Sequence, residues 1–165
     1  MENIYLVGFM GSGKSTVGRI LAKKLDRKFV DIDTEIEKEQ NKKIKDIFAD
    51  KGEAYFRQLE KEKIEEFTKK KGCIVSTGGG LGADKNNMEL MKKTGKVVWL
   101  DVDLEEILKR CSNDKNRPLL NQPIEDLKKL YNQRKEVYSL AHIHINTSNQ
   151  LPEQIAEKVI SELNK

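Results

Sequence analysis

Short runs of apolar residues recur along the chain, and longer segments separate them. Runs of this length without polar interruption are typical of strands that are buried on both faces. In the last run, isoleucine alternates with histidine, which predicts a strand at the edge of a sheet with one wetter face. The predicted strands lie at residues 4–7, 29–30, 74–75, 97–100 and 143–145.

The segments between these runs carry apolar residues at helical spacing. One such stripe is formed by Val17, Ile20, Leu21 and Leu25, which is typical of an amphipathic helix. The predicted helices cover residues 14–25, 53–71, 104–111, 124–138 and 152–163. Because strands and helices alternate, we expect an α/β protein whose parallel sheet is covered on both faces. Ligands of such sheets bind at the carboxyl ends of the strands.

The segment at residues 112–123 differs from the rest of the chain. It reads SNDKNRPLLNQP, is polar, contains two prolines and has no periodicity. This composition predicts a long mobile loop. The chain has 165 residues, which suits a single domain over residues 1–165.

The charge of the chain is mildly basic. Its 31 Lys and Arg residues face 27 Asp and Glu residues, which gives a formal net charge of +4. This excess fits a small anionic ligand and is too weak to predict a nucleic-acid partner. No apolar stretch approaches the ~20 residues that span a bilayer, and the N-terminus lacks the pattern of a signal peptide. We expect a cytoplasmic monomer without a membrane partner.

Residues 8–15 read GFMGSGKS and match the pattern G-x-x-x-x-G-K-[ST] in full. The glycines allow successive N–H groups to point at phosphate oxygens, and the following helix adds its positive end. Lys14 can reach the β- and γ-phosphates, and the Ser15 hydroxyl can ligate Mg²⁺. A turn that serves only tight packing would leave the lysine and the hydroxyl unexplained. The motif predicts a nucleotide site and leaves the base, the acceptor and the reaction open.

Two carboxylates, Asp31 and Asp33, follow the second predicted strand. Alternation in an extended segment would point both side chains the same way, at the edge where ligands bind. One can hold the hydration shell of Mg²⁺, and the other can accept the proton of an attacking hydroxyl or orient its oxygen. The alternative is a helix N-cap formed by Asp33 or Thr34, which does not exclude the catalytic role.

Three arginines, Arg57, Arg117 and Arg134, stand out against a lysine-rich background. Guanidinium groups bind carboxylates and phosphates in a bidentate way that lysine does not. Taken singly, each is more typical of a surface salt bridge, and Arg57 has Glu60 three residues on. Taken together, they suit a kinase for a small anionic acceptor. The glycines at residues 78–80 add backbone N–H groups at a third strand end.

These features occur together in one family, the shikimate kinases, which the chain resembles nearly from end to end. The glycine turn alone is shared by many activities, whereas the combination is highly specific. The resemblance rests on GFMGSGKSTVG at the start, the pair Asp31 and Asp33, AYFR at residues 54–57 with Glu60, TGGG at residues 77–80, RPLL at residues 117–120, and the spacing of Arg134 and Tyr138. It implies a three-layer P-loop kinase fold of the nucleoside-monophosphate-kinase type, with a five-stranded parallel sheet in the order 2-3-1-4-5.

The resemblance also implies a reaction and its residues. The family transfers the ATP γ-phosphate to the 3-hydroxyl of shikimate in the biosynthesis of aromatic amino acids. By similarity, Asp33 is the base, and Ser15 and Asp31 serve Mg²⁺. The implied nucleotide site comprises Gly11, Ser12, Gly13, Lys14, Ser15, Thr16, Arg110, Arg117 and Pro152. The implied shikimate site comprises Asp33, Arg57, Gly79, Gly80, Arg134, Phe48 and Phe56.

Further roles follow from the same resemblance. Arg110 and Pro152 flank the adenine. Arg117 reaches the phosphates from a lid at residues 112–123, where it joins the loop lysine and Mg²⁺ in stabilising charge on the γ-phosphate. The lid excludes water from the reaction. A helical segment at residues 33–61 binds the acceptor.

The residues before Asp101 resemble a Walker B strand, although we do not expect Asp101 to serve the metal. Residues 97–101 read VVWLD, an apolar run with a terminal acid that is typical of a Walker B strand. The resemblance places the equivalent strand at residues 73–76, where a serine replaces the acid. We therefore expect Asp101 to be a helix cap and Asp31 to serve the metal.

The remaining candidate residues give little support for further sites. The two cysteines form no CxxC pair, so neither a disulfide scaffold nor a zinc site is predicted. His142 and His144 have no cysteine or carboxylate placed to complete a metal site, and we interpret them as strand residues. Tyr131 and Tyr138 are more typical of core or rim positions than of a functional site.

Other functions stay open at this point. A gluconate kinase or a nucleoside-monophosphate kinase is the nearest competitor, but a monophosphate acceptor normally requires several lid arginines, and residues 112–123 contain Arg117 alone. A GTP-dependent switch usually carries Asn-Lys-x-Asp, and the nearest string, at residues 41–44, lacks the acid. The residues that disfavour an inactive relative are Lys14, Asp33, Arg57 and Arg134.

Overall fold

Five parallel strands form one sheet in the computed structural model, which describes residues 1–9, 12–111 and 124–165. The strands are β1 (Asn3–Val7), β2 (Lys28–Asp31), β3 (Cys73–Ser76), β4 (Gly95–Asp101) and β5 (Ile143–Asn146). They lie in the order β2-β3-β1-β4-β5, and every neighbouring pair is parallel. The predicted fold class and strand order are confirmed, and β5 lies at an edge as expected.

Helices connect the strands and cover the sheet. Within the described residues they are α1 (Lys14–Leu25), α2 (Ile32–Gln40), α3 (Ile44–Lys51), α4 (Glu53–Thr68), α5 (Gly79–Gly82), α6 (Lys85–Thr94), α7 (Leu104–Cys111), α8 (Ile124–Tyr138) and α9 (Pro152–Leu163). The helices predicted at α1, α4, α7, α8 and α9 are confirmed. The helices α2 and α3 overlap the helical segment that the resemblance implied at residues 33–61, and α5 and α6 are additional. None of the helices described is long and apolar enough to cross a membrane.

The central strand β1 contributes to two hydrophobic cores, because its side chains alternate between the two faces of the sheet. Tyr5 and Val7 belong to one core, which contains residues of α4, α6 and α8. Ile4 and Leu6 belong to the other core, which contains residues of α1 and α9. Both faces of the strand are covered, and this explains the uninterrupted apolar run in the sequence.

The carboxyl ends of three neighbouring strands bring polar segments together. β1 leads into the glycine turn and α1, while β2 ends at Asp31 and β3 ends at Ser76. In the sheet register, Ser76 is the partner of both Asp31 and Leu6. The candidate site therefore lies at the edge where parallel sheets bind their ligands.

Candidate active site

The turn between β1 and α1 holds its lysine inside the loop. Lys14 Nζ donates to the carbonyl oxygens of Gly8 at 2.7 Å and Phe9 at 3.0 Å, and it lies 3.4 Å from Ser12 Oγ. Gly13 caps α1 with a φ of 84°, a left-handed conformation that glycine adopts without strain. The ammonium group is thereby held at the N-terminal end of a helix, where phosphate groups bind.

Hydroxyl and carboxylate groups meet beside this loop. Ser15 Oγ donates to Asp31 Oδ2 at 2.7 Å and lies 3.4 Å from Ser76 Oγ. Such oxygen donors fit Mg²⁺, which proteins commonly bind through one or two carboxylates together with substrate phosphates. The structure thus brings together the two residues predicted for the metal, Ser15 and Asp31. Thr16 is exposed on α1.

The structure corrects the predicted geometry of Asp31 and Asp33. Asp31 ends β2, but Asp33 already lies in the first turn of α2, so the two do not alternate along an extended segment. The helix cap is Asp31 and neither Asp33 nor Thr34, because Asp31 Oδ1 accepts a hydrogen bond from Thr34 N at 3.3 Å. The two oxygens of Asp31 therefore have separate partners, the helix N-terminus and Ser15.

Asp33 directs a buried oxygen towards the acceptor side of the site. Burial, reinforced by the charge of Asp31, raises the pKa of Asp33 to about 6, although Lys14 and Arg57 oppose the shift. Its Oδ1 is inaccessible to solvent and has no hydrogen-bond partner among the described residues. A Cβ at Gly78 would lie 3.0 Å from this oxygen. A carboxylate that titrates near neutral pH is suited to accept a proton from a hydroxyl.

Glu60 is a second buried carboxylate at the same place. It is 1% exposed, and its Oε1 accepts from Arg57 Nη1 at 2.6 Å. Burial raises the pKa of Glu60 to about 7, although Arg57 opposes the shift. Its Oε2 has no partner among the described residues and would lie 3.1 Å from a Cβ at Gly78. The sequence indicates only that Glu60 lies three residues after Arg57. It does not indicate that Glu60 is buried, because burial of a glutamate depends on tertiary packing.

Arg57 packs against aromatic rings and a glycine. Its guanidinium carbon lies 5.9 Å from the ring centroid of Phe48 and 5.5 Å from that of Phe56, and the two centroids are 4.9 Å apart. Any side chain at Gly80 would overlap the guanidinium group. Gly79 and Gly80 begin α5, and N–H groups in the first turn of a helix have no intrahelical partner. The arrangement combines a cation, apolar surface and backbone donors.

Arg134 reaches the same region from α8. The residue is 9% exposed, and burial, together with the charge of Arg57, lowers its pKa. Its guanidinium carbon lies 5.6 Å from the ring centroid of Phe9. One turn later, the Tyr138 hydroxyl donates to the Gly79 carbonyl at 2.6 Å, which ties α8 to α5. Two partly buried guanidinium groups in proximity favour an anionic ligand.

A cleft of about 590 Å³ opens between α4, the α5–α6 segment and α8. Its walls include Arg57, Glu60, Gly80 and Arg134. Asp33 does not line this cleft, but its charge interacts with those of both Arg57 and Lys14. Asp33 therefore lies within electrostatic reach of both the loop lysine and an arginine of the cleft.

Several predicted residues are not placed in this region. Gly11 and Arg117 lie outside the described residues, as does the predicted lid at residues 112–123. The backbone of Arg110 belongs to α7, but its side chain is not described. Pro152 is the exposed first residue of α9. The nucleotide contacts of these residues stay predictions.

Asp101 is not the helix cap that the sequence led us to expect, because α7 begins three residues later. Its carboxylate instead accepts from the Tyr131 hydroxyl at 2.9 Å, and its other oxygen lies 3.0 Å from His144 Nε2. His144 lies in β5, as predicted. His142 directly precedes that strand, and its Nδ1 accepts from Val97 N at 3.0 Å.

A parallel sheet in this strand order, with a lysine-bearing glycine loop at its carboxyl edge, defines the class of P-loop kinases. Within that class, the family model "SKI: Shikimate kinase" matches residues 10–164. The chain belongs to the shikimate kinase family. The resemblance seen in the sequence is confirmed, and so is the prediction of an ATP-dependent phosphotransferase.

Individual relatives match over nearly the whole chain. The shikimate kinase of Sulfurihydrogenibium sp. (strain YO3AOP1) is 59% identical over 165 residues, which are 100% of this chain and 99% of that protein. Shikimate kinase from Acinetobacter baumannii in complex with shikimate has a TM-score of 0.95 at 40% identity, covering 99% of this chain and 93% of that one. Shikimate kinase from Aquifex aeolicus vf5 has a TM-score of 0.90 at 41% identity, covering 98% and 96%.

Proposed function

We propose that this protein transfers the γ-phosphate of ATP to the 3-hydroxyl of shikimate, giving shikimate 3-phosphate and ADP in aromatic amino-acid biosynthesis. One observation carries the proposal. Asp33 has a buried oxygen without a partner among the described residues, and its carboxylate lies within electrostatic reach of both Lys14 and Arg57. Phosphoryl transfer depends mainly on positioning and charge stabilisation, and these groups supply both. The names of the full-length relatives support shikimate as the acceptor.

Shikimate is a carboxylated ring that bears hydroxyl groups, and groups in the cleft and beside it match this ligand. The guanidinium groups of Arg57 and Arg134 would bind the carboxylate, where bidentate contacts favour arginine over lysine. The N–H groups of Gly79 and Gly80 would add hydrogen bonds. The paired rings of Phe48 and Phe56 beside Arg57 would provide apolar surface for the ring.

Asp33 would accept the proton of the attacking hydroxyl. With a pKa of about 6, the side chain is mostly ionised at neutral pH and is a stronger base than an ordinary aspartate. Asp33 is partly exposed although its Oδ1 is buried, so the 3-hydroxyl would approach the exposed side of the carboxylate. As the hydroxyl oxygen bonds to the γ-phosphorus, its proton passes to Asp33, and the bridging oxygen leaves with ADP.

The nucleotide would bind at the loop between β1 and α1. Lys14 would contact the β- and γ-phosphates in exchange for its hydrogen bonds to the loop carbonyls. Ser15 and Asp31 would hold Mg²⁺, because their oxygens already converge at the carboxyl edge. When bound, Mg²⁺ neutralises charge on the phosphate oxygens.

Further assignments are supported by the family resemblance alone. Arg117 would contact the phosphates from a lid at residues 112–123. Arg110 and Pro152 would flank the adenine. The helical segment at residues 33–61 would bind the acceptor within a single-domain monomer.

The Asp31→Asn variant should require about 10-fold more Mg²⁺ for half-maximal activity, a scale typical of losing a group that orients a metal site. Ser15→Ala should act in the same direction, because it removes the hydroxyl that Asp31 holds. The measurement is ADP release during Mg²⁺ titration at saturating ATP and shikimate. Glu162→Gln, at the C-terminal end of α9, is the control. An unchanged Mg²⁺ requirement in Asp31→Asn would exclude Asp31 from the metal site.

The kcat/KM for shikimate should decrease as the pH falls through about 6. Protonated Asp33 cannot accept a proton, so the decline should approach about 10-fold per pH unit on the acid side. Glu60 has a raised pKa of about 7 and interacts with Asp33, so the profile reports the coupled pair. Rates between pH 5 and 8 in overlapping buffers test this, and a flat profile would contradict the assignment of Asp33 as the base.

An acceptor panel tests the proposed function directly. ADP release would be followed in a coupled assay with ATP and, in turn, shikimate, gluconate, AMP and CMP. We expect turnover with shikimate, and phosphorus NMR should show phosphate on the 3-hydroxyl. Preferential turnover of gluconate or of a monophosphate would refute shikimate as the acceptor. A preference for GTP without acceptor-dependent turnover would favour a switch.

A further inference from the structure

A polar cluster outside the cleft connects the sheet to α8, the helix that carries Arg134. At its centre is Asp101, which is 9% exposed. The Tyr131 hydroxyl donates to Asp101 Oδ1 at 2.9 Å and lies 3.3 Å from the Val102 carbonyl oxygen. His144 Nε2 lies 3.0 Å from Asp101 Oδ2. Both carboxylate oxygens of Asp101 are therefore engaged, one by a helix and the other by the edge strand.

The sheet holds Asp101 and its neighbours in place. The Asp101 carbonyl accepts from Thr147 N at 2.7 Å and from Thr147 Oγ1 at 3.0 Å. The ring of His144 stacks on Trp99 with centroids 4.1 Å apart and an angle of 11° between the planes. Asp101 is thus a fixed acceptor at the carboxyl end of β4, and it meets α8 through Tyr131.

Tyr131 and Arg134 are three residues apart on α8 and so lie on the same side of the helix. Both contact the buried ring of Phe9. Tyr131 meets it edge-on, with centroids 5.4 Å apart and an interplanar angle of 84°, and the Arg134 guanidinium lies 5.6 Å from its centroid. The hydroxyl of Tyr131 adds the directional contact that fixes this side of α8 relative to the sheet.

On α8, Arg134 lies between two tyrosines whose hydroxyl groups donate hydrogen bonds to other elements. Tyr131 binds Asp101 on the side towards the N-terminus of the helix, and Tyr138 binds the Gly79 carbonyl one turn after Arg134. Neither Tyr131 nor Asp101 lines the acceptor cleft. Any influence of this pair on the acceptor therefore passes through the part of α8 that lines the cleft, where Arg134 supplies the positive charge.

We propose that Tyr131 is a positioning residue, whose hydroxyl, held by Asp101, sets the orientation of α8 in which Arg134 meets the carboxylate of the acceptor. The inference rests on the proposed function, because it concerns how the same cleft recognises shikimate. A guanidinium group that binds a carboxylate through two hydrogen bonds is sensitive to small rotations of its helix. Losing the Tyr131–Asp101 bond would weaken acceptor binding, while the ring at residue 131 would keep its contact with Phe9 of the nucleotide loop.

The test is Tyr131→Phe, which keeps the ring beside Phe9 and removes only the hydroxyl. The KM for shikimate should rise about 10-fold, a loss typical of one hydrogen bond to a charged group. The kcat and the KM for ATP should each change by less than about 2-fold, because only acceptor binding is affected. Steady-state kinetics and calorimetric titration with shikimate should give the same change.

Tyr5→Phe is the matched control. The Tyr5 hydroxyl is also hydrogen-bonded, with Thr94 Oγ1 at 2.8 Å and Asn3 Nδ2 at 3.1 Å, but neither partner belongs to α8. Both variants lose a hydrogen-bonded tyrosine hydroxyl, so both should lower the Tm, and only Tyr131→Phe should raise the KM for shikimate. An unchanged KM in Tyr131→Phe, or an equal rise in both variants, would overturn the proposal.

Substitutions of Asp101 test the other partner of the bond. Asp101→Asn keeps an oxygen acceptor for Tyr131 and should keep the KM within about 2-fold, whereas Asp101→Ala should reproduce the rise seen in Tyr131→Phe. The double variant Asp101→Ala with Tyr131→Phe should be no worse than either single variant, because both changes break one bond. Additive effects would overturn the proposal. Wild-type protein without shikimate-dependent ADP release would instead refute the proposed function, and this inference with it.

Discussion

Asp33→Asn should lower kcat by about 10³-fold, within the range that a general base contributes, and should leave ATP binding intact. The amide cannot accept the hydroxyl proton, but it has nearly the same shape as the carboxylate. The same substitution should also raise the thermal stability of the protein at pH 8. A large loss of activity combined with a gain in stability distinguishes a strained catalytic base from a residue that supports the fold.

The gain in stability follows from the pKa of Asp33. Its value in the folded protein is about 6, against an ordinary value of 3.8. Between these values the folded protein binds more protons than the unfolded chain, so this group lowers stability as the pH rises through the window. At pH 8 the ionised side chain costs about 2 kcal/mol once its partial exposure is allowed for, which corresponds to about 4–8 °C in Tm. Below pH 4 the difference between the variant and the wild-type protein should disappear.

Three measurements check these outcomes: coupled kinetics for kcat, calorimetric titration for ATP affinity, and scanning calorimetry at pH 4 and pH 8. Asp46→Asn, which removes an exposed carboxylate on α3, should change none of them appreciably. Weak ATP binding by Asp33→Asn would mean that Asp33 serves the metal or the fold. A lower Tm at pH 8 would contradict the electrostatic account.

Arg134→Ala should raise the KM for shikimate about 100-fold, with a smaller effect on kcat. The substitution removes a partly buried guanidinium group that would form two charge-assisted hydrogen bonds to the acceptor carboxylate, and each such bond contributes about 1.5–3 kcal/mol. The KM for ATP should change little, since the nucleotide is proposed to bind at the loop that carries Lys14. Steady-state kinetics with each substrate varied in turn provide the measurement.

Two variants control for this result. Arg134→Lys keeps the charge without the planar fork, so its KM for shikimate should lie between those of Arg134→Ala and the wild-type protein. Arg19→Ala removes another guanidinium that lies over a phenylalanine, 5.1 Å from the centroid of Phe29, and should leave the KM unchanged. A decrease confined to kcat in Arg134→Ala would exclude a role in holding the acceptor.

Much of the fold was predictable because its signals are local. The run at β1 is apolar on both faces, and amphipathic stripes marked α1 and α4. The strand order required the family resemblance, because periodicity does not specify which strands are neighbours. α5 was missed because its four residues include three glycines and carry no helical stripe.

The site was predictable where its chemistry lies in a short motif. Lys14 and Ser15 follow directly from the glycine turn. The orientation of Asp33 was predicted incorrectly, because it depends on where β2 ends and α2 begins. The burial of Glu60 and the bond between Asp101 and Tyr131 join segments far apart in the sequence. Spacing along the chain contains no information about such contacts.

The two hydrophobic cores described above lie on opposite faces of the sheet, and the acceptor-side residues belong to helices on only one of these faces. The acceptor-side residues Arg57 and Arg134 come from helices that pack on one face of the sheet, while α9 and the later turns of α1 pack on the other. On that second face, Lys24 forms surface ion pairs with Glu153 and Glu157, which contribute little to stability singly. Substitutions that join such pairs into a network on the α1–α9 side would lie away from Arg57 and Arg134, so heat tolerance could be changed there without touching the acceptor-side residues.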